Sequence, residues 1–160
     1  MIAGLTLGVA FGLNFILNSA GTIITTLLSY LLILLILYMT YAYTCHYRDN
    51  AREGQISYLQ SLAYIITLYF YASIISAFIK VIYLQWINTD LIGNILNESV
   101  TLLEQFEFSD IDQYKQQMTQ MLTPINFSIH FIWFDTFIGL IVGLIMSAFT
   151  SKNKRRDNTI

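Results

Sequence analysis

Reactive and charged side chains are scarce in this chain. Cys45 is the single cysteine, so no intramolecular disulfide can form. With only His46 and His130 to join it, no multi-ligand zinc spacing exists. There is no P-loop or dinucleotide loop either, because Gly4, Gly8 and Gly12 lack the strand context those motifs need. Only 11% of residues are Asp, Glu, Lys or Arg, against about a quarter in an ordinary soluble domain. Residues 1–47, 54–79, 116–134 and 136–151 carry none of them. No cofactor is expected, nucleic acid is not expected as a partner, and the solvent this chain is built for is the lipid bilayer.

What is present is apolar length. A bilayer core of roughly 30 Å needs about 20 mostly apolar helical residues, because backbone polar groups cannot stay unpaired in lipid. Four segments meet that test, at about 2–18, 23–43, 56–87 and 125–150. The expected fold is an all-α membrane protein, one integral membrane domain over residues 1–160 built as a four-transmembrane-helix bundle. A cleaved signal peptide is the competing reading of the first segment, and the lack of a basic stretch before the apolar run argues against it.

Basic residues stay on the cytoplasmic side, and here they lie on one side. The 44–55 loop holds Arg48 and Arg52, and the 151–160 tail holds Lys152, Lys154, Arg155 and Arg156. The opposite loop, 88–124, has Lys115 among Asp90, Glu98, Glu104, Glu107, Asp110 and Asp112. Both termini are therefore expected in the cytoplasm, with the tail enforcing topology rather than binding anionic lipid. Tyr38, Tyr41, Tyr43 and Tyr47 at one boundary and Trp86 at the other are placed as interfacial anchors. His46 and His130 then fall on opposite sides of the membrane, so a nucleophile, base and orienter cannot meet at one depth. An enzyme is not expected.

The exported loop has a helical period. Leu91, Ile92, Ile95, Leu96, Leu102, Leu103 and Phe106 recur at three- and four-residue steps, and Ile111, Tyr114, Met118, Met121 and Leu122 repeat the pattern. Two amphipathic helices forming a hairpin fit this spacing. Ser109 and Asp112 have capping-box spacing, and Thr123-Pro124 suits the start of the fourth span. A lid over the bundle is the preferred reading of the hairpin, and a docking surface for an exported partner or for the bilayer interface is the alternative.

Helices in lipid associate through small residues that let backbones approach. Gly4, Gly8 and Gly12 form such a row in the first span, and Gly139, Gly143 and Ser147 another in the fourth. In the third, Ala72 with Ser76 and Ser73 with Ala77 repeat the spacing. Packing within the chain is preferred, with a homo-oligomer or a membrane-protein partner as the alternative. Two charges fall inside the spans, and an intramembrane charge costs roughly 3 kcal/mol on insertion scales. Lys80 lies about 35 Å along its helix from Ser57, near the outer boundary, where it is expected to snorkel outward. Asp135 lies about 22 Å from Thr150, well inside. Its expected partners are Lys80 reaching inward, His130, or Tyr and Ser hydroxyls, and Asp135, Lys80 and His130 form the candidate intramembrane polar site. A helix-gluing carboxyl is slightly preferred over a proton or cation relay.

The loop before the third span is the most motif-like stretch. It reads Tyr47-Arg48, then Gly54-Gln55-Ile56-Ser57-Tyr58, in which Gly54 can end the loop, Ser57 can cap the helix and Tyr58 can anchor it. With Pro124 before the fourth span, four spans, an acidic exported hairpin and a basic tail, these residues resemble a bacterial family of four-helix membrane proteins, domain-of-unknown-function family 4199. The resemblance covers essentially the whole chain. Leu59, Gln60 and Ser61 stand where members show a glycine soon after the Ser-Tyr pair. It implies a bacterial inner-membrane location and brings no activity. Two function classes follow: a non-catalytic scaffold or accessory subunit, which is preferred, and a small transporter or proton- or cation-conducting unit using Asp135.

Overall fold

A computed structural model describes residues 2–105, 115–119 and 122–151 of the chain. Four helices are long and apolar enough to cross a membrane. They are α1 (Ile2–Ser19), α2 (Ile23–Ala51), α3 (Tyr58–Ile82, prolonged by a π-helical turn over Tyr83–Ile87) and α5 (Pro124–Thr150). The shorter α4 (Leu91–Gln105) stands between α3 and α5 in the chain. The expected all-α bundle is therefore what forms.

Local chemistry sets the helix ends. Gly21, at φ +65°, turns the chain out of α1, and Thr22 caps α2 in a reciprocal box with Thr25. Ser57 caps α3 by accepting from the Gln60 amide, and Gln60 returns the bond to the Ser57 amide. Thr123 caps α5 by accepting from the Asn126 amide at 3.2 Å, with Pro124 in the first turn, as its sequence implied. The helix of α2 continues past the expected span end at residue 43 to Ala51, since nothing between Thr44 and Asn50 breaks it. It stops where Glu53 (φ 53°) and Gly54 (φ 78°) turn left-handed, and the Gly54 amide donates back to the Arg48 carbonyl at 3.0 Å.

The core runs along α3, which packs most extensively against α5 and α1, while α2 leans mainly on α1. Leu7, Ala10, Ile36, Ile65, Leu68, Tyr69 and Ala72 form its apolar centre. Small polar residues are buried with them, among them Thr40, Thr44, Ser61, Ser73, Ser76, Ser147 and Thr150. Large apolar side chains face outward instead, such as Leu27, Leu31 and Leu34 on α2 and Phe137, Ile141 and Phe149 on α5. That inversion of the soluble pattern suits a lipid surround. Tyr38, Tyr41 and Trp86 are exposed as anchors would be, whereas the Tyr43 hydroxyl meets Thr6 Oγ1 at 2.7 Å and Tyr47 stacks on Tyr64 with centroids 4.2 Å apart.

Of the stripe on α4, Leu91, Ile92, Ile95, Leu96 and Leu103 are half-buried and Leu102 is exposed, while Val100 beside them is buried. Of the second hairpin helix, residues 115–119 are helical. Phe106, the Ser109 and Asp112 cap, Ile111, Tyr114, Met121 and the basic tail lie outside the described residues.

The small-residue rows are used within the chain. A Cβ added to Gly8 would sit 2.6 Å from the Ala72 carbonyl oxygen and 2.7 Å from Ile75 Cβ, and one on Gly12 would sit 2.8 Å from Ile79 Cδ1. On α5, Gly139 lies against Tyr69, where an added Cβ would come within 2.5 Å of Tyr69 Cβ, and Gly143 lies against Leu62 and Ile65. Gly8→Ala and Gly139→Ala are each expected to lower unfolding stability in detergent by about 1–3 kcal/mol through overpacking. Gly93→Ala, with nothing within 4 Å, is expected to leave it unchanged or raise it by up to about 1 kcal/mol. Thermal unfolding of the three purified variants checks this contrast.

Candidate intramembrane polar site

Lys80 sits two residues before the end of the regular α3 helix, and Asp135 sits in the first half of α5. The close α3–α5 packing brings them together, with Lys80 Nζ donating to Asp135 Oδ2 at 3.0 Å. Lys80 does not snorkel outward. Its side chain is 3% exposed and that of Asp135 is 15% exposed. The reason is local: the ammonium lies 4.2 Å from the Phe131 ring centroid and 5.5 Å from that of Phe15. An inward route therefore offers a counter-charge and two aromatic faces together, which offset desolvation. Of the partners expected for Asp135, Lys80 is the one that meets it. His130 is exposed on α5, and its Nδ1 pairs with the Asn126 carbonyl of its own helix at 2.7 Å.

The pair borders a cavity of about 610 Å³. Phe11 and Phe15 of α1 and Tyr69 of α3 back it, while Ile33 and Leu37 of α2 face Phe134, Ile138 and Val142 of α5. Asn14 and Asn18 add carboxamides to the wall. They belong to a polar network that the residue pattern did not single out. Asn14 Nδ2 donates to the Ser29 carbonyl at 2.9 Å, Asn18 Nδ2 donates to Asn14 Oδ1 at 3.2 Å, and Ser29 Oγ donates to Asn18 Oδ1 at 3.1 Å. The readable signal was two Asn residues one helical turn apart in an otherwise apolar span. Phe15 and Phe131 gave no such signal, since aromatic side chains are ordinary in apolar helices.

The loop motif gathers at the other end of the bundle, and it holds α2, α3 and α5 together. Arg48 is buried, pairs through Nε with Asp49 Oδ1 at 2.7 Å, and donates from Nη1 to the Thr150 carbonyl at 3.2 Å. That carbonyl belongs to the last turn of α5, where acceptors lack helical donors. The Tyr58 hydroxyl donates to the Leu144 carbonyl at 2.8 Å, and Ser61 Oγ meets Thr150 Oγ1 at 2.7 Å. Ile56 is buried, and Arg52 donates to the Tyr47 hydroxyl at 3.1 Å. Among the described residues, no group of three or more His, Cys, Asp or Glu side chains could hold a metal ion.

The family model described as "Protein of unknown function (DUF4199)" matches residues 1–152. No curated protein and no solved structure matches the chain.

Removing one member of the buried pair leaves an uncompensated charge. Lys80→Met is expected to lower unfolding stability by about 3–5 kcal/mol, and the double change Lys80→Met with Asp135→Leu to recover most of the loss. A double-mutant cycle in detergent measures this coupling. Arg48→Met, which deletes the link to Thr150, is expected to cost about 1.5–3 kcal/mol in the same assay.

Proposed function

The chain belongs to the DUF4199 family, and on that premise we propose that it is a non-catalytic, multi-pass protein of the bacterial inner membrane that acts as a scaffold or accessory subunit. Both termini are cytoplasmic in this reading, following the one-sided Lys/Arg distribution. The observation that carries the proposal is that the buried charges are paired and that the buried hydroxyl contacts serve helix packing. Lys80 and Asp135 neutralise each other. Toward the Arg48 end the hydroxyls form isolated contacts: Tyr69 with Thr40 at 3.3 Å, Ser61 with Thr150 at 2.7 Å, and Thr44 back to its own helix at the Thr40 carbonyl at 2.7 Å. Ser76 Oγ and Ser147 Oγ, both buried, have no hydrogen-bond partner among the described residues. Among the described residues these direct contacts stay separate from one another, which supports a packing role over a relay. The glycine rows serve the scaffold's own assembly, so contact with a second copy or with another membrane protein falls to the outer faces.

The second reading is a small transporter or proton-conducting unit. It is favoured by one observation, that the Lys80–Asp135 pair borders a cavity between four helices. Native co-purification with mass spectrometry, paired with a proton-leak assay in liposomes, separates the two. A stable heteromeric partner without leak is expected, whereas a pure homo-oligomer whose leak disappears in Asp135→Asn would replace the scaffold with the transporter. Topology is checked in a Cys45→Ser background. Asn50→Cys is expected to react with an impermeant maleimide only from the cytosol, and Asn97→Cys only from the exported side.

A further inference from the structure

The geometry points to the cavity between α2 and α5 as a binding site for an uncharged, hydroxyl-bearing lipid of the diacylglycerol class, drawn sideways from the bilayer. The inference rests on the membrane placement of the bundle and does not depend on the scaffold role. Three features select this ligand chemistry. First, the walls are apolar and aromatic, formed by Phe11, Phe15, Ile33, Leu37, Phe134 and Ile138, and about 610 Å³ lies within the range of small-molecule sites. The two walls belong to helices that touch little and are tied by a hydrogen bond at the far end, from Arg48 to Thr150. Chains can therefore pass between α2 and α5 without crossing the packed α3 seam.

Second, the pair has no net charge but is not polar on all sides. Lys80 is the shielded member, capped by Phe131 and Phe15, while Asp135 is the more exposed one. Asp135 Oδ2 accepts from Lys80, and Oδ1 has no hydrogen bond among the described residues. What the cavity offers first is thus an acceptor, which calls for a donor in the ligand. Because the pair is already neutral, a charged head of either sign would bring an uncompensated charge into an apolar cavity, so the fitting donor is an uncharged O–H.

Third, Asn14 and Asn18 each use one amide N–H in the network with Ser29. Each keeps a second, which suits an ester carbonyl. A hydroxyl beside ester groups, attached to hydrocarbon chains, satisfies all three features.

The test uses the full chain in phosphatidylcholine vesicles, with a diacylglycerol carrying a diazirine in one acyl chain, its O-methyl ether, and an amine-headed analogue of equal chain length. Cross-linked peptides are mapped by mass spectrometry. Labelling at Ile33, Leu37 and Ile138 is expected to be about ten- to a hundredfold stronger for the hydroxyl probe than for the ether, the worth of one hydrogen bond to a charged group. Ile138→Trp, which fills the cavity, is expected to remove that labelling while the outward-facing Leu31 and Phe149 still label. Should that variant fail to fold, the Lys80→Met, Asp135→Leu pair is expected to equalise the hydroxyl and ether probes. Equal labelling by ether and hydroxyl in the unaltered protein, or stronger labelling by the amine, would overturn the proposal. Absence of label at Leu31 and Phe149 with every probe would instead overturn the membrane placement itself.

Discussion

In a bilayer, apolar surface gains nothing by leaving lipid for another helix, so a bundle must be held by something other than the hydrophobic effect. Here it is the close approach of α1 and α5 to two faces of α3. Gly8 and Gly12 on one side and Gly139 and Gly143 on the other leave no room for a Cβ against Ala72, Ile79, Tyr69 and Leu62. Dispersion contacts over that seam replace the missing drive. The distribution of side chains follows from it: small and hydroxyl-bearing residues sit where the helices come closest, beside a short apolar centre, and many Leu, Ile and Phe side chains face outward, where lipid accepts them. Serine and threonine inside the seam satisfy themselves mostly from their own helix, as Thr40 does with the Ile36 carbonyl at 2.8 Å and Thr150 with the Met146 carbonyl at 3.0 Å.

The seam also decides where charge can go. Arg48 lies near the end of α2, where it reaches the orphan carbonyls of α5 and Asp49 together. Lys80 lies within a helix and has no such outlet once α5 is packed on α3. It needs a carboxylate on the neighbouring helix at the same depth, and Asp135 supplies it. The same register that seats Gly139 on Tyr69 therefore sets the ion pair, because Asp135 and Gly139 are one turn apart on α5.

Much of this was legible in the residue pattern, and for definite reasons. Spans are set by length and hydropathy, so the four helices and the capped starts at Ser57 and Thr123 could be read directly. The glycine rows could be read as contact faces, although their spacing alone did not say which helix each would meet. The end of α2 was harder to read, because Tyr, Thr, Cys and His near a boundary suit either a continuing helix or a loop. Gly54 marks the turn, but the extra turns before it became visible only through the bonds of Arg48. For Lys80, the direction of the side chain depended on Phe131 and Phe15 from two other helices. A tertiary contact of that kind leaves no periodicity behind. The loop motif gave position without purpose: Tyr58 and Arg48 proved to reach carbonyls of α5 far along the sequence, and Ser61, just after the motif, meets the Thr150 hydroxyl.

The cavity is a consequence of the seam rather than an accident beside it. With α1 and α5 both packed on α3, the remaining crossing, α2, packs mainly on α1 and little on α5. It is then joined to α5 at the Arg48 end by a hydrogen bond and is left facing it elsewhere across Phe134 and Ile138. Closing that gap by moving α5 off α3 would separate Gly139 from Tyr69 and Asp135 from Lys80 together. The bundle retains the opening because the alternative breaks both its tightest packing and its buried ion pair. That coupling sets the Lys80–Asp135 pair on the wall of the cavity.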